Sequence, residues 1–337
     1  MTVNQIKEII RVRLPQPFLF LIELASYWKR LCRYNASINT ERDKEKMEYI
    51  LLRENHVIEK GMSMRHPRQG FGQAKVLTLI DRLKRYYKLY GHEDKRFMYY
   101  PMATIKAYIS YHQKDQVDIT AIQNLYLQLC QETGITDDQL TMSAGIEIMQ
   151  GKELELQAKK DFSSLLYNRH SIRYFKDEPP SIQQIEQALR LASRTPSACN
   201  RQAWHTHVFY GADVHELLRM QGGCNGFCDD IHCCIIVTAD MKGFLAHEPF
   251  QCYIDGGMYA QNLINALHYV GLGSIPLSCG FMSGKLLGIQ KRFSIPKNEV
   301  MIVIIGTGII CNETKIAIST RKPILSTNTY HKQNTAG

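Results

Sequence analysis

The chain lacks an apolar run long enough to cross a bilayer. Its most apolar early stretch, FLFLIELASYW at residues 18–28, falls short of the about 20 residues a spanning helix needs. It lacks a small-residue cleavage site behind that stretch, so no cleavable leader is expected and a reduced cytoplasm is the expected location. Homeodomain-like, zinc-finger and RNP patterns are missing too, so the basic balance is not read as nucleic-acid binding. Ten cysteines are spread over 337 residues, which excludes the dense framework of a small secreted domain. No repeat and no low-complexity tract interrupts the chain.

What is there is ordinary for a globular protein: 45% hydrophobic and 22% charged residues, with a net charge of +9 that favours anionic ligands or surfaces. The stretch at 18–28 is flanked by Arg11, Arg13, Lys29, Arg30 and Arg33. Such flanks suit an interfacial helix on an anionic membrane, but a helix packed on its own domain is the expectation.

Two regions of different texture follow. Residues 1–155 read as a mostly helical extension. Met47, Ile50, Leu51, Val57 and Ile58 recur at helical spacing up to Gly61, which is expected to cap that helix. Val76, Leu79, Ile80, Leu83, Tyr86, Tyr87 and Tyr90 form a second stripe, and helices are expected near 99–113 and 119–133. His56 and Glu59 stand one turn apart, but two groups do not make a metal site. Residues 156–337 read as mixed α and β. Ser181 and Gln184 form a capping box ahead of an amphipathic helix. Buried strands are expected at 206–211, 233–240 and 299–308, and a long helix at about 255–270, closed by Gly271 and Gly273.

Four segments of this second region carry chemistry. NRHSIRYFKDEPP, residues 168–180, puts Arg169, Ser171 and Arg173 at alternate positions, on one face if extended. Forked guanidinium donors beside a hydroxyl match a phosphate. TPSACNRQAW, residues 195–204, offers Ser197, Asn200 and Gln202, whose amides can read the edge of a heterocycle. SIPLSCGF, residues 274–281, offers backbone N–H groups, and STRKP, residues 319–323, supplies Arg321 and Lys322. CNGFCDDIHCC, residues 224–234, fits no zinc or iron–sulfur spacing, and no metal is expected.

In this order and spacing the segments resemble the flavin-dependent nitroreductase family over residues 165–323. The resemblance implies an α+β fold with a mixed sheet flanked by helices, and an intertwined homodimer binding FMN. It implies an oxidoreductase that takes hydride from NADH or NADPH and passes electrons to a small organic acceptor. By position, Arg169, His170, Ser171 and Arg173 would hold the FMN phosphate and ribityl chain, with Arg321 and Lys322 closing that site. Ser197, Asn200 and Gln202 would lie along the flavin, Pro276, Leu277 and Ser278 against its ring, and a backbone N–H near Ser278, Cys279 or Gly280 at N5. The chain departs from the family at Ala203, often proline, and after strand 299–308, where the usual Gly-Tyr-Pro turn is missing. Two other readings remain: an oxygen-using or flavin-modifying member of the fold, and a non-catalytic flavin-binding partner protein. Cys199 and Cys279 fall in the implied flavin loops, where a packing role is expected over a redox one.

Overall fold

The structure, a computed structural model, describes residues 15–34, 39–92, 94–114, 117–245, 248–281 and 283–331. The chain divides into two compact units. The sheet unit comprises Met1–Ile38, Met64–His66 and Ile148–Ile316; the helical unit comprises Asn39–Ser63, Pro67–Glu147 and Ala317–Gly337. A single cut at 155/156 does not describe this division. The chain returns to the helical unit for its last residues, through backbone and side-chain bonds local in space but remote in sequence. Ile318 N–H donates to Gly145 O at 3.3 Å, and the Thr320 hydroxyl donates to Ser143 O.

Helix α1, Gln16–Tyr34, opens the described sheet unit. The expectation that this apolar helix packs on its own domain is not met: Phe18, Leu21 and Trp28 are 53%, 60% and 68% exposed. In the helical unit, α2, Lys44–Met62, starts where the Asp43 side chain accepts from Lys46 N–H at 3.2 Å. It is followed by α3, Gln73–Tyr86, α4, Tyr99–Lys114, and α5, Thr120–Thr133. Leu51, Ile58, Val76, Leu79, Ile80 and Leu83 share one core, as their spacing predicts. Gly61 does not cap α2. It lies inside the last turn, where a Cβ would meet the Phe71 ring at 2.4 Å, and Ser63 is the cap. Glu59 is fully buried and accepts from the Tyr100 hydroxyl at 2.8 Å and from Gly145 N–H at 3.0 Å. It is an internal acceptor, and the described residues contain no cluster suited to a metal ion.

Strand β1 runs from Ile146 to Gln150, its residues from Ile148 onward in the sheet unit, which continues with α6, Gly151–Ala158, and α7, Phe162–Asn168. Next come α8, Ile182–Ala192, β2, Trp204–Tyr210, α9, Ala212–Gln221, β3, Cys233–Asp240, and α10, Gln251–Tyr269. The series ends with β4, Leu272–Ser278, α11, Ser283–Arg292, β5, Glu299–Ile309, and β6, Glu313–Ala317. Strands β2, β3, β5 and β4 form an antiparallel sheet in that order, while β1 and β6 pair separately. The expected mixed character rests on one isolated parallel bridge, between Ser171 and Ser274.

Strand β3 opens with the apolar run Cys233–Val237 because both faces of the sheet are covered there. Cys233, Ile235 and Val237 pack with Ile185 and Ala188 of α8 and Leu263 and Leu267 of α10. Cys234 and Ile236 pack on the other face with Leu217 of α9 and Ile289 of α11. The capping box forms: Ser181 Oγ accepts from Gln184 N–H at 3.2 Å, and Gln184 Oε1 accepts from Ser181 N–H at 3.1 Å. Gly271 ends α10 at a φ of 87°, which a side chain would resist. Cys224 and Cys228, read from the sequence only as failed metal-ligand candidates, are joined by a disulfide with Cα atoms 5.3 Å apart.

Candidate functional site

The segment RHSIR reaches the sheet through its backbone. Arg169 caps α7, its N–H donating to Leu165 O at 3.1 Å. Beyond it the chain is extended, and Ile172 N–H donates to Ser274 O at 3.0 Å, laying Ser171 beside β4. Lys176 N–H then donates to Ile309 O at 3.0 Å, so this segment is fixed at both ends by the sheet. Arg169, His170 and Ser171 are half-buried, whereas Arg173 is only 3% exposed.

Beside Arg169 and His170 lies a residue that sequence reasoning missed. His268, in the last turn of α10, is 4% exposed, and its Nε2 has no hydrogen-bond partner among the described residues. Helix α7 packs against α10, which brings the Arg169 end of one helix near the His268 end of the other. Burial, then the charges of Arg169 and His170, hold the His268 imidazole down at about 4. His268 is therefore a neutral imidazole near pH 7, and the positive charge beside it is carried by the Arg169 side of the group. The only sequence signal for His268 was a titratable group at a core position of a helix.

The second segment forms a strained loop. Cys199, Asn200 and Gln202 have φ values of 51°, 54° and 50°, a left-handed region that side chains other than glycine rarely occupy. Ser197 Oγ accepts from Gln202 N–H at 2.9 Å, and Gln202 Nε2 donates to Asn200 Oδ1 at 3.2 Å. The loop is anchored on α10. Asp255, which is 1% exposed, accepts from Ala198 N–H at 3.1 Å, and Asn262 Nδ2 donates to Thr195 Oγ1 at 2.7 Å. Arg201 forms a two-point ion pair with Glu248, at 2.8 and 2.9 Å. Asp255 and Asn262, seven residues apart on one helical stripe, are further residues that the sequence did not single out. The side chains of Asn200 and Gln202 stay exposed above this scaffold.

The third segment is β4 and the turn after it. Strand alternation puts Pro276 and Ser278 on an exposed face and turns Leu277 into the core. The Leu277 side chain, expected against the ring, is therefore packed in the core, and its backbone stands opposite Ile304 of β5. Gly280 N–H donates to Ser278 Oγ at 3.0 Å, so that donor is already engaged. The Cys279 thiol is buried and pushed up to about 12 by desolvation, which keeps it a thiol and favours packing over redox chemistry. Cys199 is exposed on the strained loop.

The fourth segment belongs to the helical unit. Arg321 Nη1 donates to Ser319 O at 3.1 Å, and Lys322 Nζ lies 4.4 Å from the Tyr49 ring centroid. That unit also holds a cleft of about 560 Å³ lined by Arg42, Asp81, Arg82 and Arg85. Arg85 pairs with Glu41 at 2.7 Å and Arg82 with Glu54 at 3.3 Å, so two of its guanidinium groups are already neutralised.

Residues 166–221 match the family model described as the nitroreductase family. A protein provisionally named NADH dehydrogenase/NAD(P)H nitroreductase from Archaeoglobus fulgidus is 26% identical over 145 residues, 43% of this chain and 82% of its own. One of the same provisional name from Methanothermobacter thermautotrophicus is 26% identical over 151 residues, 45% of this chain and 78% of its own. Among solved structures, a nitroreductase-type protein from Desulfovibrio desulfuricans in complex with FMN is 19% identical. It covers 51% of this chain and 98% of its own, with a TM-score of 0.45.

Proposed function

We propose that this chain, whose residues 166–221 match the nitroreductase family model, is a member of that family that binds FMN and moves electrons from NADH or NADPH to a small organic acceptor. The observation that carries the reading is the grouping of Arg169 and His170 with buried His268, beside a segment fastened to β4 by the Ile172–Ser274 bond. A guanidinium beside a neutral, buried imidazole whose Nε2 is unsatisfied fits a phosphate group. Within the sheet unit, Arg169, His170, Ser171 and Arg173 are the proposed phosphate and ribityl residues. Ser197, Asn200 and Gln202 are proposed for the polar edge of the flavin, since the strained loop is braced by Asp255 and Asn262. Pro276 and Ser278 offer the face on which its ring would rest.

When bound, FMN supplies the hydride-accepting chemistry, and the protein's task is binding, orientation and electrostatics. Backbone N–H donors held at fixed positions favour the electron-rich reduced state without having to reorganise. With Gly280 N–H donated to Ser278 Oγ, the proposed donor moves to the N–H of Ser278 or Cys279. The NADH dehydrogenase/NAD(P)H nitroreductase names of the two relatives support a nicotinamide donor, and with it a cytoplasmic location. A homodimer is proposed from apolar side chains left exposed on α10 and α7, including Ile254, Met258, Phe162 and Tyr167.

Purified full-length protein tests this directly. It should be yellow or take up FMN, bleach with NADH or NADPH under nitrogen, and recover its colour with a quinone. Protein that cannot be reconstituted with FMN would sink the proposal. Bound flavin that no nicotinamide reduces would favour the partner-protein reading, and air oxidation with destruction of the flavin would favour flavin modification.

A further inference from the structure

Helix α1 presents apolar side chains to solvent, more along one stripe than beside it, where Phe20 and Leu24 are 40% and 37% exposed. Phe18, Leu21, Ile22, Ala25, Trp28, Lys29 and Cys32 follow the i, i+3, i+4, i+7 spacing of one helical face, and all are exposed. The stripe changes character along its length. Its first two thirds are apolar, Trp28 stands at the change, and Lys29 begins a basic end to which the sequence adds Arg30 and Arg33. Glu23 is the one acidic residue of the helix. No described helix is long and apolar enough to cross a membrane.

We propose that α1 lies in the interfacial layer of an anionic lipid bilayer, with Phe18, Leu21, Ile22 and Trp28 among the acyl chains and the Lys29 end on the headgroups. Three features select this occupant. An apolar face in water is costly, and an interface relieves that cost without requiring a full span. Tryptophan between apolar and charged stretches suits the headgroup boundary, where its ring is buried and its N–H remains wet. The basic end, on a chain of net charge +9, complements a negative surface. A second copy of α1 would bring the same cations and repel in parallel register, or set them against apolar side chains in the antiparallel one. The inference does not depend on flavin binding.

The test is co-sedimentation of the full-length protein with phosphatidylcholine vesicles, with and without phosphatidylglycerol. The chain has two tryptophans, so Trp204→Phe leaves Trp28 as the sole indole reporter. Binding should require the anionic lipid and weaken with salt, and Trp28 emission should shift to the blue on binding. Leu21→Glu should lower partitioning by about tenfold or more. Each charge removed by Lys29→Gln, Arg30→Gln or Arg33→Gln should lower it by about fivefold. The proposal is overturned if anionic vesicles capture no more protein than neutral ones. It is equally overturned if capture survives Leu21→Glu with Trp28 emission unmoved, since the attraction would then come from the general surface charge. A blue shift that grows with protein concentration without lipid would assign the face to a second copy instead.

Discussion

Acidification from neutral pH toward 4 probes the basic cluster around His268. The imidazole ordinarily titrates at 6.5 and is held at about 4 in the folded chain, chiefly by burial and then by Arg169 and His170. Glu155, whose Oε1 lies 3.0 Å from where a Cβ on Gly271 would sit, is the carboxylate recorded near this end of α10. In the pH window between the two values the unfolded chain binds a proton that the folded chain excludes, so folding stability falls as pH falls. The full difference is worth about 3 kcal/mol, complete near pH 4 and absent above 6.5. His268→Leu removes the titrating group, and His268→Gln retains a polar side chain without it. Urea unfolding of the sheet unit can be followed through Trp204, which stacks on Tyr259 at 5.0 Å, in a Trp28→Phe background. Wild type should lose about 3 kcal/mol more than either variant between pH 6.5 and 4, a midpoint change of roughly 1 M urea or more. Parallel losses in all three proteins would refute the reasoning, as would a directly measured His268 titration near 6.5. A bound phosphate dianion acts in the opposite direction, so FMN should be taken up together with protons and should flatten the wild-type slope.

Arg169→Ala and Arg173→Ala should each weaken FMN retention by about 2 kcal/mol, roughly 30-fold in Kd, as read from recovery of free-flavin fluorescence. Unchanged affinity in both would remove the phosphate assignment. In the helical unit, Glu59→Ala strips the acceptor from the Tyr100 hydroxyl and Gly145 N–H. It should cost about 3 kcal/mol by denaturant unfolding, with no effect on FMN affinity. Cys224 and Cys228 should resist alkylation until the protein is reduced, and the double alanine variant should lose about 2 kcal/mol of stability, as closure of so short a loop implies.

The elements that the sequence announced are those whose signal is local. The capping box of Ser181 and Gln184 needs only three residues of spacing, and it is there at 3.1 and 3.2 Å. Strand β3 opens with five consecutive apolar residues, Cys233–Val237, because both its faces are covered, and that too is written into consecutive residues. The segments carrying RHSIR and IPLS were recognisable as separate stretches, but what joins them is one backbone bond from Ile172 to Ser274, and backbone bonds have no residue signature. The same limit explains the helix facing the wrong medium. An apolar stripe states that α1 avoids water on one side, without stating whether protein or lipid lies there. Asp255 and Asn262 escaped notice because their partners, Ala198 N–H and Thr195 Oγ1, are 57 and 67 residues away. Around β4, alternation separates Leu277 from Pro276 and Ser278 as soon as the register is known, and Ser278 Oγ then withdraws Gly280 N–H from any ligand. A motif therefore locates a flavin loop more readily than the atom that donates within it, because the donor is the N–H left over once the loop has satisfied its own polar groups.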